Sequence, residues 1–535
     1  MNRGEAVLTG PGAPFEVVDG VYAGGARTLR EFVEVTWALG DRPFLVAEGG
    51  VWSYREFFDE ACGLARALLG RYGAVPGDRV ALAARNLPEW QIAFWAVQLA
   101  GLVAVPLNAW WGPEETAYAL DDCEPSVLLV DDERVAGVEA WARGRGVPVV
   151  VMCGEVRGHH AYVPDRDPYA GPPDLHVLPE HDSTLIYTSG TTGRPKGAVA
   201  THLAQAGAAM NPRFHAALAA LERGEVPGSA PPPVFLVTFP FFHVAAFTSV
   251  YSVMASGGAL VMMRKWDARQ ARGLIREHRV THFSGVPTTA LRLLRDAEEA
   301  VDPMESLRHL NTGGAPAPPV LLERLARVCG ERVEPRTGYG LTETCGGVLA
   351  SSGAGYRADP AGAGRPSPVT EVRVDAPEGE PGELLLRGQS LVRGYWRDEA
   401  ATRAAFTPDG WLRTGDLAVL RDGRVSVVDR IKDVILRGGE NVYCVEVEGV
   451  LLDHPAVRDA AVLGVPHPEL GEEVAAVVRL AEGAAATAEE LRAYAAGRLA
   501  AFKVPALLFV RTLPLPRNAT GKVLKRQLKE EVAGA

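Results

Sequence analysis

Tyr187-Thr-Ser-Gly-Thr-Thr-Gly-Arg-Pro-Lys-Gly197 packs four Ser/Thr hydroxyls, three glycines and one lysine into eleven residues. That is the chemistry of a phosphate cradle. Glycine lets backbone N–H groups approach an anion, hydroxyls add donors or a metal contact, and lysine adds charge. It is not a Walker loop, which needs Gly-Lys followed by Ser or Thr, because Lys196 follows Pro195 and precedes Gly197. Gly338-Tyr-Gly340 is not a dinucleotide fingerprint either, since Glu343 stands at the third glycine position.

Outward from this loop the chain alternates between two periodicities. Residues 54–72 carry Phe57, Phe58, Ala61, Leu64, Leu68 and Leu69 at helical spacing, Pro76-Gly77-Asp78 reads as a turn, and 79–84 as a short apolar strand. Helix 90–100, strand 103–107, helix 113–121 and strand 126–130 repeat the pattern. This implies an α/β fold, with parallel-rich sheets covered by helices on both faces. Residues 212–233, rich in Pro and Ala, read as an insertion or mobile loop around a short helix. Beyond Asp375 the strands 383–387 and 424–428, separated by Gly/Asp turns, suggest a small antiparallel, barrel-like subdomain. After the charged joint Asp429-Arg-Ile-Lys-Asp433 come strands 460–465 and 474–480, helix 487–499 and strand 506–510, a compact α+β unit.

A length of 535 residues calls for several units, by the prior of roughly 100–200 residues per domain. Hydrophobic residues at 47% and charged residues at 23% exclude wholesale disorder and fibrous folds. The net charge of −11 argues against a general nucleic-acid binder. All of that charge falls on residues 1–429, since the chain from Arg430 onward is neutral. Within the neutral part, 517–529 holds five basic residues and no acid, which suggests a local anionic ligand or a solvated helix face. The six cysteines show no metal spacing and read as reduced thiols of a cytoplasmic protein, and the N-terminus lacks the apolar core of a signal peptide. The charge-free stretches 90–113 and 234–263 are each interrupted by Pro and Gly. They read as buried helices leading into buried strands rather than membrane spans. Peripheral membrane association and oligomeric state stay open.

The 187–197 loop resembles the signature loop of the adenylate-forming superfamily: acyl-CoA synthetases, adenylation domains of peptide synthetases and firefly-type luciferases. The resemblance continues in order along the chain. Gly313-Gly-Ala-Pro316 is similar to the adenine-flanking turn, Gly338-Tyr-Gly-Leu-Thr-Glu-Thr344 to the second signature, and Thr414-Gly-Asp416 to the ribose-binding one. Asp429–Asp433 resembles the hinge, Gly438-Gly-Glu-Asn441 the turn after it, and Asn518-Ala-Thr-Gly-Lys522 the C-terminal lysine loop. The resemblance implies a large adenylating domain, 1–430, and a small mobile lid, 431–535, turning near Lys432. It implies ATP, Mg²⁺ and CoA as cofactors and a small carboxylic acid as substrate.

It also implies roles. Thr188, Ser189, Gly190, Thr191, Thr192, Gly193 and Lys196 would hold the phosphates. Glu343 and Thr192 would hold Mg²⁺, and Thr342 would donate to the α-phosphate. Gly314, Ala315, Pro316, Gly338, Tyr339 and Gly340 would frame adenine, and Asp416 and Arg430 would bind ribose. Lys522 would bridge carboxylate and α-phosphate. Gly438 and Gly439 would line a pantetheine tunnel. His243, in Pro240-Phe-Phe-His-Val-Ala246, resembles the gate histidine of acyl- and aryl-CoA ligases. Amino-acid-activating relatives carry an Asp near here, and no Asp or Glu lies between Val234 and Met263. The expectation is therefore an acyl-CoA synthetase for a medium- or long-chain or bulky hydrophobic acid. An acyl-AMP ligase loading a carrier protein and an aryl-CoA ligase stay open. Small residues around the expected pocket (Ala245, Ala246, Ser284, Gly285, Gly313, Gly346, Gly347, beside Phe242 and Phe247) imply volume. Cys444 stands where many relatives have Pro and is either a silent replacement or an oxidisable thiol.

Overall fold

A computed structural model describes residues 3–188, 194–318, 320–518 and 521–533. Among them are three main sheets, of eight, thirteen and five strands. The eight-stranded sheet pairs Arg79–Ala83, Val103–Pro106, Val127–Asp131 and Val149–Cys153 in parallel, and the antiparallel hairpin Asp182–Thr188/Lys196–Thr201 extends one side. The thirteen-stranded sheet has a parallel half (Pro43–Ala47, Val234–Val237, Ala259–Val261, His282–Gly285, His309–Gly313, Glu334–Leu341). It continues through Gly346–Ser352, Gly362–Pro366 and Arg424–Arg430 into further antiparallel strands, with Thr370–Val374 at the edge.

The charge-free stretches account for the core between these sheets. Helix Pro88–Leu99 is buried along its whole length, as a helix that is apolar all round must be. Its Trp90 and Phe94 pack on Phe247 of helix Val244–Ala255. Stretch 234–263 is strand, helix and strand, rather than helix then strand. No described helix is long and apolar enough to cross a membrane.

Residues 212–233 do not form a separate insertion. Pro212 lies inside a continuous helix, His202–Glu222. An interior proline costs about 3 kcal/mol. The cost is offset because this segment buries Met210, Phe214, Ala217 and Leu218 against Leu8, Phe15 and Tyr22.

The five-stranded sheet is C-terminal: Ile435–Arg437, Glu440–Val442, Val457–His467, Gly471–Leu480 and Leu507–Arg511. Its alternating residues serve two faces. Ala460 and Val462 pack under helices Cys444–Leu452 and Ala488–Ala496. Ala461, Leu463 and Val465 pack with Leu515 and with Leu528 of helix Lys525–Ala533. Across the 431–433 turn, Asp429 of the large sheet accepts a 3.4 Å hydrogen bond from the Val445 N–H at the start of Cys444–Leu452.

Candidate active site

Parallel strands His309–Gly313 and Glu334–Leu341 end side by side, with Gly313 opposite Gly338. Bare backbone fits closely here, because a Cβ on Gly313 would stand 3.3 Å from the Gly338 carbonyl oxygen. The first strand then turns at Gly314 (φ +77°) into exposed Ala315 and Pro316. The second presents Tyr339, whose hydroxyl donates to Asp416 Oδ2 at 2.6 Å. Arg430 Nε lies 2.7 Å from Asp416 Oδ1. Asp416 is buried, and its own N–H donates to Thr414 Oγ1. One partner sits on each carboxylate oxygen, so each keeps a free lone pair, and two adjacent acceptors suit a vicinal diol. Burial and the Asp416 charge push the Tyr339 phenol far above its ordinary pKa, so it stays a donor.

After Gly340 the chain makes a tight turn, Thr342–Thr344, closed by Cys345 at φ +56° and by Thr344 Oγ1 donating to the Gly346 carbonyl oxygen at 2.7 Å. The turn projects Glu343, whose Oε1 accepts from the Tyr395 hydroxyl at 2.6 Å. Tyr395 is half of a two-residue strand paired through Ala198 to the lysine-bearing strand. Lys196 Nζ lies 5.4 Å above the Tyr395 ring, and Lys196 itself pairs with Thr188 across the hairpin. Tyr395 thus brings Thr188, Lys196 and Glu343 together, and the sequence reading missed it. Ser189, Gly190, Thr191, Thr192 and Gly193 lie outside the described residues.

Among the described residues no group of three or more His, Cys, Asp and Glu could hold a metal ion, so Glu343 would act without further carboxylates. This fits Mg²⁺, which keeps several waters and binds through one or two carboxylates plus substrate phosphates.

His243 caps helix Val244–Ala255, its Nδ1 accepting from Ala245 N–H at 3.2 Å. Burial lowers its pKa to about 4, so the ring is neutral at pH 7. Its other nitrogen then carries the proton and can donate.

Lys522 ends a turn in which its N–H donates to Asn518 Oδ1 at 2.9 Å. The turn is clamped by Arg517, which pairs with Asp459 at 2.6 Å and also bonds the Gly521 carbonyl oxygen. The next turn is held by the 2.8 Å Lys525–Glu448 pair. Arg526 and Lys529 pair with Glu530 and Glu472. Of the five cations in 517–529, Lys522 is therefore the one without a salt bridge among the described residues. Its side chain reaches solvent, yet protein crowds it at longer range. That desolvation, together with Arg430 and Lys432 and against the attraction of Asp433 and Asp416, lowers its pKa to about 8. A Cβ on neighbouring Gly521 would stand 3.5 Å from Val286 and Thr288, at the start of helix Pro287–Glu299.

The AMP-binding enzyme family model matches residues 35–396, and the AMP-binding enzyme C-terminal domain model matches residues 446–522. The chain belongs to the AMP-binding enzyme family. It is an AMP-forming acid–thiol ligase of the acyl-CoA synthetase branch, with ATP, Mg²⁺ and CoA as its cofactors. It is 37% identical over 489 residues to a feruloyl-CoA synthase of Amycolatopsis sp., covering 90% of this chain and 94% of that one. It is 34% identical to a long-chain-fatty-acid–CoA ligase of Thermus thermophilus, covering 94% and 95%. The structure of o-succinylbenzoate CoA synthetase from Bacillus subtilis with ATP and magnesium superposes with a TM-score of 0.77 at 31% identity, covering 93% of this chain and 99% of that one.

In this AMP-binding enzyme the small residues near the expected acyl pocket do not simply leave volume. A Cβ on Gly285 would meet Thr238 Oγ1 at 2.1 Å and Thr289 Oγ1 at 2.6 Å, and one on Gly346 would meet Thr248 Oγ1 at 2.9 Å. These glycines admit hydroxyls and close backbone. Ser284 is buried and shares a 2.7 Å hydrogen bond with Ser249. Ala246 and Phe247 face the inter-sheet core. Phe242 is edge-on to Trp110, which is 46% exposed.

Lys432 stands exposed in the 431–433 turn between the large and C-terminal sheets. Gly438 (φ +59°) and Gly439 (φ +89°) form the two-residue hairpin after it. Cys444 is buried, its thiol donating to the Asp433 carbonyl oxygen at 2.9 Å and pushed up to about 12 by burial. That is a structural thiol, not a reactive one.

Proposed function

We propose that this enzyme activates an aromatic or comparably compact hydrophobic acid as its acyl-AMP and passes it to CoA. The observation that carries the reading is the pair of hydroxyl contacts, Thr238 with Thr289 and Ser249 with Ser284, packed closely around Gly285 where the acyl pocket is expected. It suits a planar acid with polar substituents better than a long unbranched chain. The identity to a feruloyl-CoA synthase supports it, and the fatty-acid–CoA ligase relative favours the alternative. A pyrophosphate-release screen over aromatic acids and fatty acids of graded length, with and without CoA, tests it. Hydroxycinnamates turning over faster than C8–C16 chains is the expected result, and the reverse order overturns it. Acyl-AMP without any CoA thioester would instead identify a carrier-protein ligase.

Adenylation sets one anion against another, so positioning and charge neutralisation do the work. Asp416 and Tyr339 would orient the nucleoside, and Lys196 and the 188–193 loop the phosphates. Thr342 would donate to the α-phosphate. His243 Nε2–H would donate to the substrate carboxylate, and Lys522 would offset the charge shared by carboxylate and α-phosphate. Magnesium supplies Lewis-acid neutralisation of the phosphates. Tyr395 would hold Glu343 in one orientation toward it, so Tyr395→Phe should raise the Mg²⁺ concentration for half-maximal adenylation several-fold with little change in the ATP KM.

The second half-reaction needs the lysine loop withdrawn. We assign 1–430 as the adenylating part and 431–535 as a lid turning at Lys432, bringing Gly438 and Gly439 to the pantetheine path. Lys432→Pro fixes φ. Acyl-AMP formation should survive, and thioester formation from supplied acyl-AMP should fall by about 10²-fold, the scale on which closing steps govern turnover. Equal loss of both steps would count against the hinge.

A further inference from the structure

The C-terminal unit meets helix Pro287–Glu299 in two places. One is the approach of Gly521 to Val286 and Thr288, where an added Cβ would lie 3.5 Å from each. The other is an open cleft of about 300 Å³ toward the far end of the helix, where Arg292, Arg295, Asp296 and Glu299 face Arg458 of strand Val457–His467, with Trp266 and Asp267 as a third wall. The charges in this cleft do not pair with one another. Asp296 is committed to Arg272 at 2.6 Å, and Asp267 caps the next helix through Gln270 N–H at 2.8 Å. Arg292, Arg295 and Arg458 make no ion pair within 4.0 Å among the described residues. Arg458 is in addition partly removed from water and repelled by Arg292 and Arg479, which lowers its pKa. Three guanidiniums, Arg292, Arg295 and Arg458, therefore line the seam together with Asp267, Asp296 and Glu299, none of which forms an ion pair with them.

We propose that this seam is an anion site, separate from the adenylation cleft, for a diphosphate group, either free pyrophosphate or the diphosphate of a nucleotide. Guanidinium forks match phosphate oxygens in pairs, and the Trp266 indole offers a wall on which a base can stack. The bound anion joins Arg292 and Arg295 of one unit to Arg458 of the other. It therefore favours the arrangement described above over any in which Arg458 has moved away. Holding the seam also holds Gly521 and Lys522 at the start of the same helix. That last consequence rests on the role proposed for Lys522, whereas anion binding does not.

The test is calorimetric titration of the full chain with magnesium-free pyrophosphate, and separately with ADP. The variants are Arg292→Ala, Arg458→Ala, both together, and Lys196→Ala, which weakens the phosphate loop alone. The expected result is a binding event that survives Lys196→Ala, weakens about tenfold in either arginine variant, and weakens little further in the double variant. Pyrophosphate binding abolished by Lys196→Ala and untouched by Arg458→Ala overturns the site. Tighter ADP binding that Trp266→Ala removes identifies a nucleotide ligand, and equal affinities identify free diphosphate. Tryptic cleavage in the 430–437 segment is the second readout. Pyrophosphate should slow it in the wild type and not in Arg458→Ala. Unchanged cleavage despite binding overturns the holding role, leaving the adenylation mechanism untouched.

Discussion

Lys522→Ala should lower acyl-AMP formation by at least about 10²–10³-fold, the loss typical of one transition-state donor. Thioester formation from supplied acyl-AMP should be spared. Its loop is held by Arg517–Asp459 and Lys525–Glu448, so removing the ammonium leaves the fold in place. The same residue gives a pH signature. With a pKa of about 8 in the free enzyme, Lys522 loses its charge above that pH, and kcat/KM for adenylation should fall there. Lys522→Arg should move the falling limb to higher pH. Stability runs the other way. The unfolded chain binds the proton more tightly than the folded one between pH 8 and the ordinary lysine pKa of 10.5, so stability rises through that window while activity falls. Unchanged adenylation in Lys522→Ala would remove the lysine from the mechanism.

Asp416→Ala should raise the ATP KM by about 100-fold or more. Two acceptors to the ribose are lost, each charge-assisted hydrogen bond being worth about 1.5–3 kcal/mol. The Arg430 guanidinium and the Tyr339 hydroxyl also lose their shared partner. Asp416→Asn retains shape without charge and should lie between the two. A change below fivefold in the alanine variant, measured by ATP titration of pyrophosphate release, would show that the ribose is held elsewhere.

Elements with strong periodicity were legible in the sequence: helix 90–100, strand 103–107 and the C-terminal strands fall close to where expected. Helix His202–Glu222 was not, because Pro212 and Ala-rich composition signal a loop locally, and only burial against Phe15 and Tyr22, far away in sequence, overrides that signal. Glycines near the pocket misled for a related reason. Small residues read alike whether they leave space or admit a neighbour, and Gly285 and Gly346 admit neighbours. The basic run 517–529 suggested a collective patch, yet four of its five cations are spent on neighbouring carboxylates. Tyr395 was invisible because its meaning lies in register. Pairing Ala198 with Tyr395 sets its hydroxyl on Glu343, and no local motif announces a contact spanning that much sequence.

The bond from Val445 N–H to the Asp429 carboxylate joins the last strand of one sheet to the first helix beyond the turn. An arrangement in which that helix has swung away cannot keep it. The Val445 amide would thus be a natural clock for the turning proposed at Lys432. If the 431–535 unit turns at Lys432 as proposed, exchange of this hydrogen would report how often the clasp is undone, with no label attached and no substrate consumed.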